Sequence, residues 1–522
     1  MSEQSRQYRS MAITASWTLV SRVLGLFRDQ LMAATFGAGA VASAFLLAFQ
    51  IPNLFRRLLG EGALSSALVP PLAGKLEREG KPAALAFLNH VLGRVLPWLS
   101  GVALLGMGVA LAASLLLEER SALAAELTVW TMPYLPLVCA AALVTASVQL
   151  LGRFGLAEIA AGCLNLCLIA SMAWIGPAVS PDDLLGQARV LCAATVVGGA
   201  LQLLIPLLGL RRLGWRPARG VPDAAAWSEL RATFLPALLG AGVLQLNLLV
   251  SRLLAFGLDD AALTYYHVAN RVTELPVGLF SVSIATVIFP ALALAKAQGD
   301  REALGRNYAR GVRLVMAVNI AAALGLAVFA QPVLEVLFQY GRFTPVDVEN
   351  SAGLLVLFSA AMPLYALSAL AARALTVVGR ADLTLRAAVH ALAVNAALSA
   401  ALAQPLGVEG LAWANLASAA WQYAVLRRSL VRAEPAYGAE DLVKPLLHVM
   451  VASLVMAAVA YQSQRWFADH LYGMMSPKPL LLLTMSLGAL LGGGLYAWLL
   501  AQFGYPERDV LTSLLRRAKP GS

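Results

Sequence analysis

Arginine stands in three stretches where a membrane-spanning helix should be wholly apolar: SRVLGLFRD at Ser21 to Asp29, IPNLFRRLLGEG at Ile51 to Gly62, and NRVTELPVG at Asn270 to Gly278. A guanidinium near the bilayer centre costs at least ~3 kcal/mol even on the forgiving insertion scale, so several together require anions or water in a cavity. The chemistry these residues suit is reception of a negatively charged group inside the membrane.

The helices that must carry them can be drawn from spacing. At 100° per residue, Ser21, Arg22, Gly25, Arg28 and Asp29 fall within about 120° of arc, giving one polar stripe that must face the protein interior. In the second stretch Gln50, Asn53, Arg57 and Glu61 share a face with Arg56 to one side, and Pro52 loosens the local hydrogen bonding. Which of Arg56 and Arg57 points inward stays open. In the third, Asn270, Arg271 and Glu274 precede Pro276 and Gly278, the pattern of a broken or bent helix beside a cavity. Structural salt bridges, Arg22 with Asp29, Arg57 with Glu61 and Arg271 with Glu274, are the alternative use of these charges. The bases Arg22, Arg28, Arg56, Arg57 and Arg271 outnumber the acids Asp29, Glu61 and Glu274, which favours an anionic cargo.

The rest of the chain supplies membrane. Hydrophobic residues make up 59% and charged residues 13%, against roughly one quarter charged in a soluble domain. Apolar runs able to cross a ~30 Å core recur about fourteen times, so the fold class is an all-α polytopic membrane protein. The first run, beginning near Met11, lacks a convincing small-residue cleavage site and reads as a retained helix. Basic connections (Lys75, Arg78 and Lys81; Arg211, Arg212, Arg216 and Arg219; Arg427, Arg428 and Arg432; Arg516, Arg517 and Lys519) alternate with acidic or uncharged ones such as Glu118 with Glu119 and Asp259 with Asp260. The excess of Lys and Arg on cytoplasmic loops then places both termini in the cytoplasm. The net charge of +10 reflects this topology and attraction to anionic lipid, and no nucleic-acid partner is expected. Cys139, Cys163, Cys167 and Cys192 fall in spans, and His90, His267, His390, His448 and His470 lack ligand spacing. Neither metal nor other cofactor is expected. His267, near the third stretch, is the one histidine placed to line a cavity.

The chain also repeats itself. Phe36 and Gly37 open a span that ends at Pro70, and Phe256 and Gly257 open another that ends at Pro290, with the same glycine-to-proline spacing. Each unit carries its polar cluster midway and a hydroxyl pair near the end, Ser65 with Ser66 and Ser283 with Thr286. An even number of spans separates them, so the repeat is parallel, about an axis along the membrane normal. The expected organisation is two six-helix lobes in pseudo-twofold relation, residues 1–220 and 221–435, with a site between them, followed by a C-terminal helix pair and cytoplasmic tail, 436–522.

SRVLGLFRD, the FGAG of Phe36 to Gly39, the IPNLFRRLLGEGALSSALVP of Ile51 to Pro70 and the FQYGRFT of Phe338 to Thr344 resemble the MurJ (MviN) lipid II flippases of the MOP superfamily. The resemblance covers essentially the whole chain. It implies a fourteen-helix inner-membrane transporter, not an enzyme, that moves undecaprenyl-pyrophosphate-linked disaccharide pentapeptide by alternating access. It also implies function as a monomer among membrane lipids, with association with cell-wall synthesis proteins. The family's essential cavity arginines fall on Arg22, Arg28, Arg56 and Arg271, with Asn53 and Glu61 as supporting polar positions; Ser21, Asp29, Arg57, Asn270 and Glu274, which belong to the same polar stretches, are expected to support the cavity as well. The chemistry agrees, because guanidinium groups bind a pyrophosphate through paired, charge-assisted hydrogen bonds that an ammonium cannot reproduce, and lysine is absent from the three stretches. The last two helices, almost wholly apolar, are expected to offer the polyprenyl tail a groove. Departures exist: many relatives carry an acid at Ser43, a lysine at Gln50 and an acid at Asn270. Leu230 to Leu258 contains no acid, so sodium coupling through that helix is unsupported, and membrane potential or protons remain as energy sources.

Other functions are weighed on the same residues. A multidrug or cation exporter of the superfamily favours cavity carboxylates, whereas this chain is arginine-rich. A flippase for another polyprenyl-linked glycan would use the same pyrophosphate chemistry. A membrane enzyme acting on polyprenyl phosphates needs outward carboxylates, and the acid pairs Asp182 with Asp183 and Asp259 with Asp260 sit in short turns that read as solvated.

Overall fold

The computed structural model describes residues 3–507 apart from 154, 219, 221–222 and 472–476, and of residues 3–19, 61, 157–158, 244, 275 and 279–287 it describes the backbone alone. Every regular element among the described residues is helical. Among the described residues nine helices are long and apolar enough to cross a membrane, ten if the pair Glu119–Thr131 and Tyr134–Leu150, bent by 45°, counts as one span.

The chain packs as two compact units, one of Met1–Thr264 with Tyr340–Phe343, the other of Tyr265–Gln339 with Thr344–Ser522. The first contains α1 (Glu3–Phe36), α2 (Ala40–Phe55) and α3 (Leu64–Arg78), the latter two joined by a π-helical segment, Arg56–Ala63. It continues through α4 (Lys81–Leu116), α5 (Glu119–Thr131), α6 (Tyr134–Leu150), α7 (Gly155–Ala170), the short α8 (Gly176–Val179), α9 (Leu184–Arg212) and α10 (Ala224–Leu258). Pro52 explains the break before the π segment. Having no N–H, it leaves the Ala48 carbonyl without its helical donor, and the Thr131 hydroxyl on α5 donates to that oxygen at 3.1 Å. The arginine string is thus held off regular α geometry, and α5 bonds the loosened turn.

α11 (Ala262–Ala297) begins in the first unit and continues into the second, which also holds α12 (Arg301–Val328), α13 (Ala330–Phe338), α14 (Pro345–Val377), α15 (Ala381–Ala433), α16 (Val443–Leu471) and α17 (Pro477–Gln502). Of the expected broken or bent helix, the break is not seen: α11 runs through Pro276 as one helix. Proline in a membrane helix is tolerated when neighbouring groups re-satisfy the freed carbonyl. α15, at 53 residues, would be roughly 80 Å long if straight. It is instead a hairpin of two helices, because Gly407 has φ 58° and ψ −141° and the Ser418 hydroxyl donates to the Ala391 carbonyl at 2.7 Å, 27 residues away.

Short connections close with capping carboxylates. Asp183, Asp223 and Asp300 accept backbone N–H bonds at the starts of α9, α10 and α12, each neutralising an orphan donor at a helix N-terminus. Asp223 also meets Lys75 at 2.5 Å. That contact lowers the Asp223 pKa, and it raises that of Lys75, which Glu79 raises further. The stabilisation is therefore complete between the two ordinary ranges. It is lost as pH falls through the depressed Asp223 value, or rises through the elevated Lys75 value. We expect Asp223→Asn to lower the melting temperature at neutral pH by a few degrees, consistent with loss of a partly exposed pair worth up to about 1 kcal/mol, since asparagine caps a helix about as well as aspartate. The difference from wild type should shrink as the carboxylate titrates; a constant gap from pH 3 to 8 would show that the ion pair is not its source.

Candidate functional site

The polar stripe of α1 packs on α7. Gly25 and Asp29 are buried, Ser21 and Arg28 half-buried, and Arg22 exposed. Arg28 grips the Asp29 carboxylate at 2.6 Å through Nη2 and 2.9 Å through Nε, and its Nη1 donates to the Asn165 side-chain oxygen of α7 at 3.1 Å. The Asn165 amide nitrogen in turn donates to the Ser21 carbonyl at 3.4 Å. Asp29 is thus paired with the adjacent Arg28, where helical spacing suggested Arg22. Asn165 was not anticipated. A single neutral amide in an apolar run carries little signal, and its role depends on a helix more than a hundred residues away.

Arg56 lies at the first position of the π segment and donates through Nε to the Asn53 side-chain oxygen at 2.8 Å. It lines a cavity of about 410 Å³ within the first unit, together with Ser65, Thr145, Gln149, Ala161 and Gln202. The wall is small apolar residues set with neutral hydrogen-bonding groups around one guanidinium. Gln202 is held from behind by the Tyr134 hydroxyl, 3.1 Å from Oε1, and Ser65 donates to the Gly60 carbonyl. Reading the string at 100° per residue put Arg57 on the shared face. A π turn closes i→i+5, so each residue advances less around the axis and that register lapses. Arg57 is half-buried; the Glu61 side chain lies outside the described residues.

The third stretch lies on α11 in the second unit. Glu274 accepts from the Asn270 amide at 3.0 Å and from Arg271 Nη1 at 3.2 Å. The Arg271 side chain is one quarter exposed, at 25%. Among the described residues no three metal-ligating side chains converge. Ser283 and Thr286, the second hydroxyl pair of the repeat, have side chains outside the described residues.

The paired turn acids Asp259 and Asp260 have structural work. Asp259 caps α11, accepting from Ala261 and Ala262 at 2.8 and 2.7 Å. Asp260 meets Arg120 at 3.3 Å and lends its backbone carbonyl to the buried Ser43 hydroxyl at 2.6 Å. These bonds explain the Asp259 and Asp260 turn without a catalytic role.

Two of the motif strings meet. The Arg342 N–H donates to the Ala34 carbonyl at 2.8 Å, which seats Tyr340–Phe343 on the end of α1 beside Gly37. A family model described as "Lipid II flippase MurJ" matches residues 32–482, from just before this junction into α17. The chain belongs to the MurJ lipid II flippase family. Curated MurJ relatives include a probable lipid II flippase of Vibrio cholerae, 32% identical over 81% of this chain and 83% of the relative. Another, from Haemophilus influenzae, is 30% identical over 85% and 90%. Among solved structures, a lipid II flippase MurJ in an inward closed conformation superposes with a TM-score of 0.77 at 21% identity, covering 96% of this chain and all of that one. An inward-facing multidrug resistance MATE transporter of the MOP superfamily superposes at 0.64, 14% identical, over 81% of this chain. Both likenesses are of fold.

Proposed function

We propose that this chain is a lipid II flippase of the bacterial inner membrane, carrying the undecaprenyl-pyrophosphate-linked disaccharide pentapeptide from the cytoplasmic to the periplasmic leaflet for peptidoglycan synthesis. The observation that carries it is an arginine set in a neutral, hydrogen-bonding intramembrane cavity, in a chain of the MurJ family. A guanidinium suits a diphosphate; amides and hydroxyls around it suit a sugar. The protein is a transporter and not an enzyme.

The architecture proposed is fourteen membrane passages. The apolar helices and the bent pair supply ten, the second arm of α15 an eleventh, and the helices carrying the arginine stretches, α1, α2 with α3, and α11, supply three more. The arginines themselves keep the second of these from qualifying as wholly apolar. On the repeat, residues 1–220 and 221–435 form two lobes and 436–522 the C-terminal pair, with both termini cytoplasmic and a monomer as the working unit. Transport proceeds by alternating access, exposing Arg22, Arg28, Arg56 and Arg271 to one leaflet at a time. α10, the first helix of the proposed second lobe, packs against α3 and the π segment, and a Cβ at Gly62 would stand 3.3 Å from the Ala241 methyl. Rocking the lobes would part this contact.

Expression in cells depleted of their own lipid II flippase tests the proposal. Rescue of growth and cell shape is the expected result, and failure of a well-expressed, membrane-inserted protein would reassign it to another polyprenyl-linked glycan. On the same system, Asn165→Leu should reduce flipping roughly tenfold with normal protein abundance, since Arg28 would lose one charge-assisted bond of about 1.5–3 kcal/mol. Unchanged flipping would make Asn165 a packing residue.

A further inference from the structure

A second cavity, of about 310 Å³, lies at the basic ends of α4 and α9, away from the arginine stretches. Its polar wall is Lys81, Asn89, Trp215 and Arg216, and its apolar wall includes Leu85 and Leu213. The wall is built and not incidental. Trp215 is 7% exposed, its indole N–H donates to the Asn89 side-chain oxygen at 2.8 Å, and the Asn89 amide donates to the Arg216 carbonyl at 3.0 Å. The linker carrying Arg216 is therefore pinned to α4, and a Cβ at Gly220 would overlap the His90 backbone, 2.1 Å away. Lys81 and Arg216 make no ion pair with any described residue. Glu79, close to Lys81 in sequence, is held by Lys75 at 3.1 Å.

Two such cations, a buried indole and an apolar flank at the end of two membrane-crossing helices match the phosphate and upper acyl region of an anionic phospholipid. We propose that this cavity binds the phosphodiester headgroup of an anionic phospholipid of the leaflet that the basic loops face, with Lys81 and Arg216 as its ligands and the Trp215–Asn89 pair as the scaffold that fixes them. The apolar flank favours lipid over free phosphate, because inorganic phosphate would leave Leu85 and Leu213 uncovered. Nothing in the site requires the chain to be a flippase, so its test is independent of transport.

The experiment is native mass spectrometry of the purified full-length protein titrated with phosphatidylglycerol, with phosphatidylcholine and inorganic phosphate as parallel arms. Saturable retention of phosphatidylglycerol is expected, with little of phosphatidylcholine. Each basic side chain near an anionic headgroup contributes enough for roughly a fivefold change in affinity, so Lys81→Ala with Arg216→Ala should weaken retention by roughly thirtyfold. Ala86→Phe keeps both charges but fills the cavity, which Ala86 also lines, and should weaken retention as well. Both variants are compared only as monodisperse, thermally cooperative preparations, and the second serves if the first does not fold. Undiminished phosphatidylglycerol binding by whichever variants fold, or equal retention of phosphatidylcholine, would overturn the proposal. Binding of inorganic phosphate that phosphatidylglycerol does not displace would overturn it in favour of a free anion.

Discussion

Alanine in place of Arg28, Arg56 or Arg271 abolishes lipid II translocation, or reduces it by at least about a hundredfold, in the outcome we expect of a reconstituted flipping assay. Each guanidinium can offer a diphosphate two charge-assisted bonds of about 1.5–3 kcal/mol apiece, and tenfold in affinity is about 1.4 kcal/mol. Arg22→Ala should fall in the same class. The variants should differ in stability. Arg28 is clamped on Asp29, which is 5% exposed, and removing one member of a buried ion pair costs about 3–5 kcal/mol, so Arg28→Ala should be the least stable. Arg56 bonds the neutral Asn53 amide, and Arg271 the half-exposed Glu274, so their alanine variants should reach the membrane in normal amounts. Lysine should restore only part of the activity, having the charge without the fork. Full-rate flipping by Arg56→Ala and Arg271→Ala would remove the proposed role.

That the chain is helical and crosses a membrane several times was legible because the bilayer imposes it: apolar length and the cost of intramembrane arginine are local properties of sequence. The three polar stretches were visible for the same reason, as exceptions. What escaped depends on geometry or on distance along the chain. The π segment was invisible because face assignment assumes 100° per residue, and the string Arg56–Ala63 departs from that just where the charges sit. Asn165, Gln149 and Gln202 are single neutral amides in apolar helices, indistinguishable by composition from polar residues satisfied within their own helix. The outward acids read as solvated turn charges, while Asp183 and Asp259 in fact close helix N-termini. The family resemblance named FGAG and FQYGRFT as separate motifs, and no sequence periodicity could show that they touch.

That contact carries the second large effect expected. Gly341 has φ 54°, and a Cβ there would lie 2.3 Å from the Ala34 carbonyl oxygen, the acceptor of the Arg342 N–H. Gly37 has φ 64°, and its Cβ would come 2.8 Å from the Arg342 carbonyl oxygen. Backbone stands on both sides, so neither clash can be relieved by turning a side chain. A left-handed conformation forced on alanine costs of order 1–3 kcal/mol before the clash is counted, and relief would require the Tyr340–Phe343 strap to lift, exposing Phe343, now 1% exposed. Gly341→Ala should therefore lower the melting temperature by several degrees and reduce flipping severely, with Gly37→Ala somewhat milder. Gly39 supplies the internal control. It lies in the same motif, has φ −150°, and a Cβ there meets nothing within 4 Å, so Gly39→Ala should be close to wild type in both measurements. If Gly39→Ala were as damaging as Gly341→Ala, the motif would matter for something other than the close approach of these two backbones, and the strap would lose its explanation.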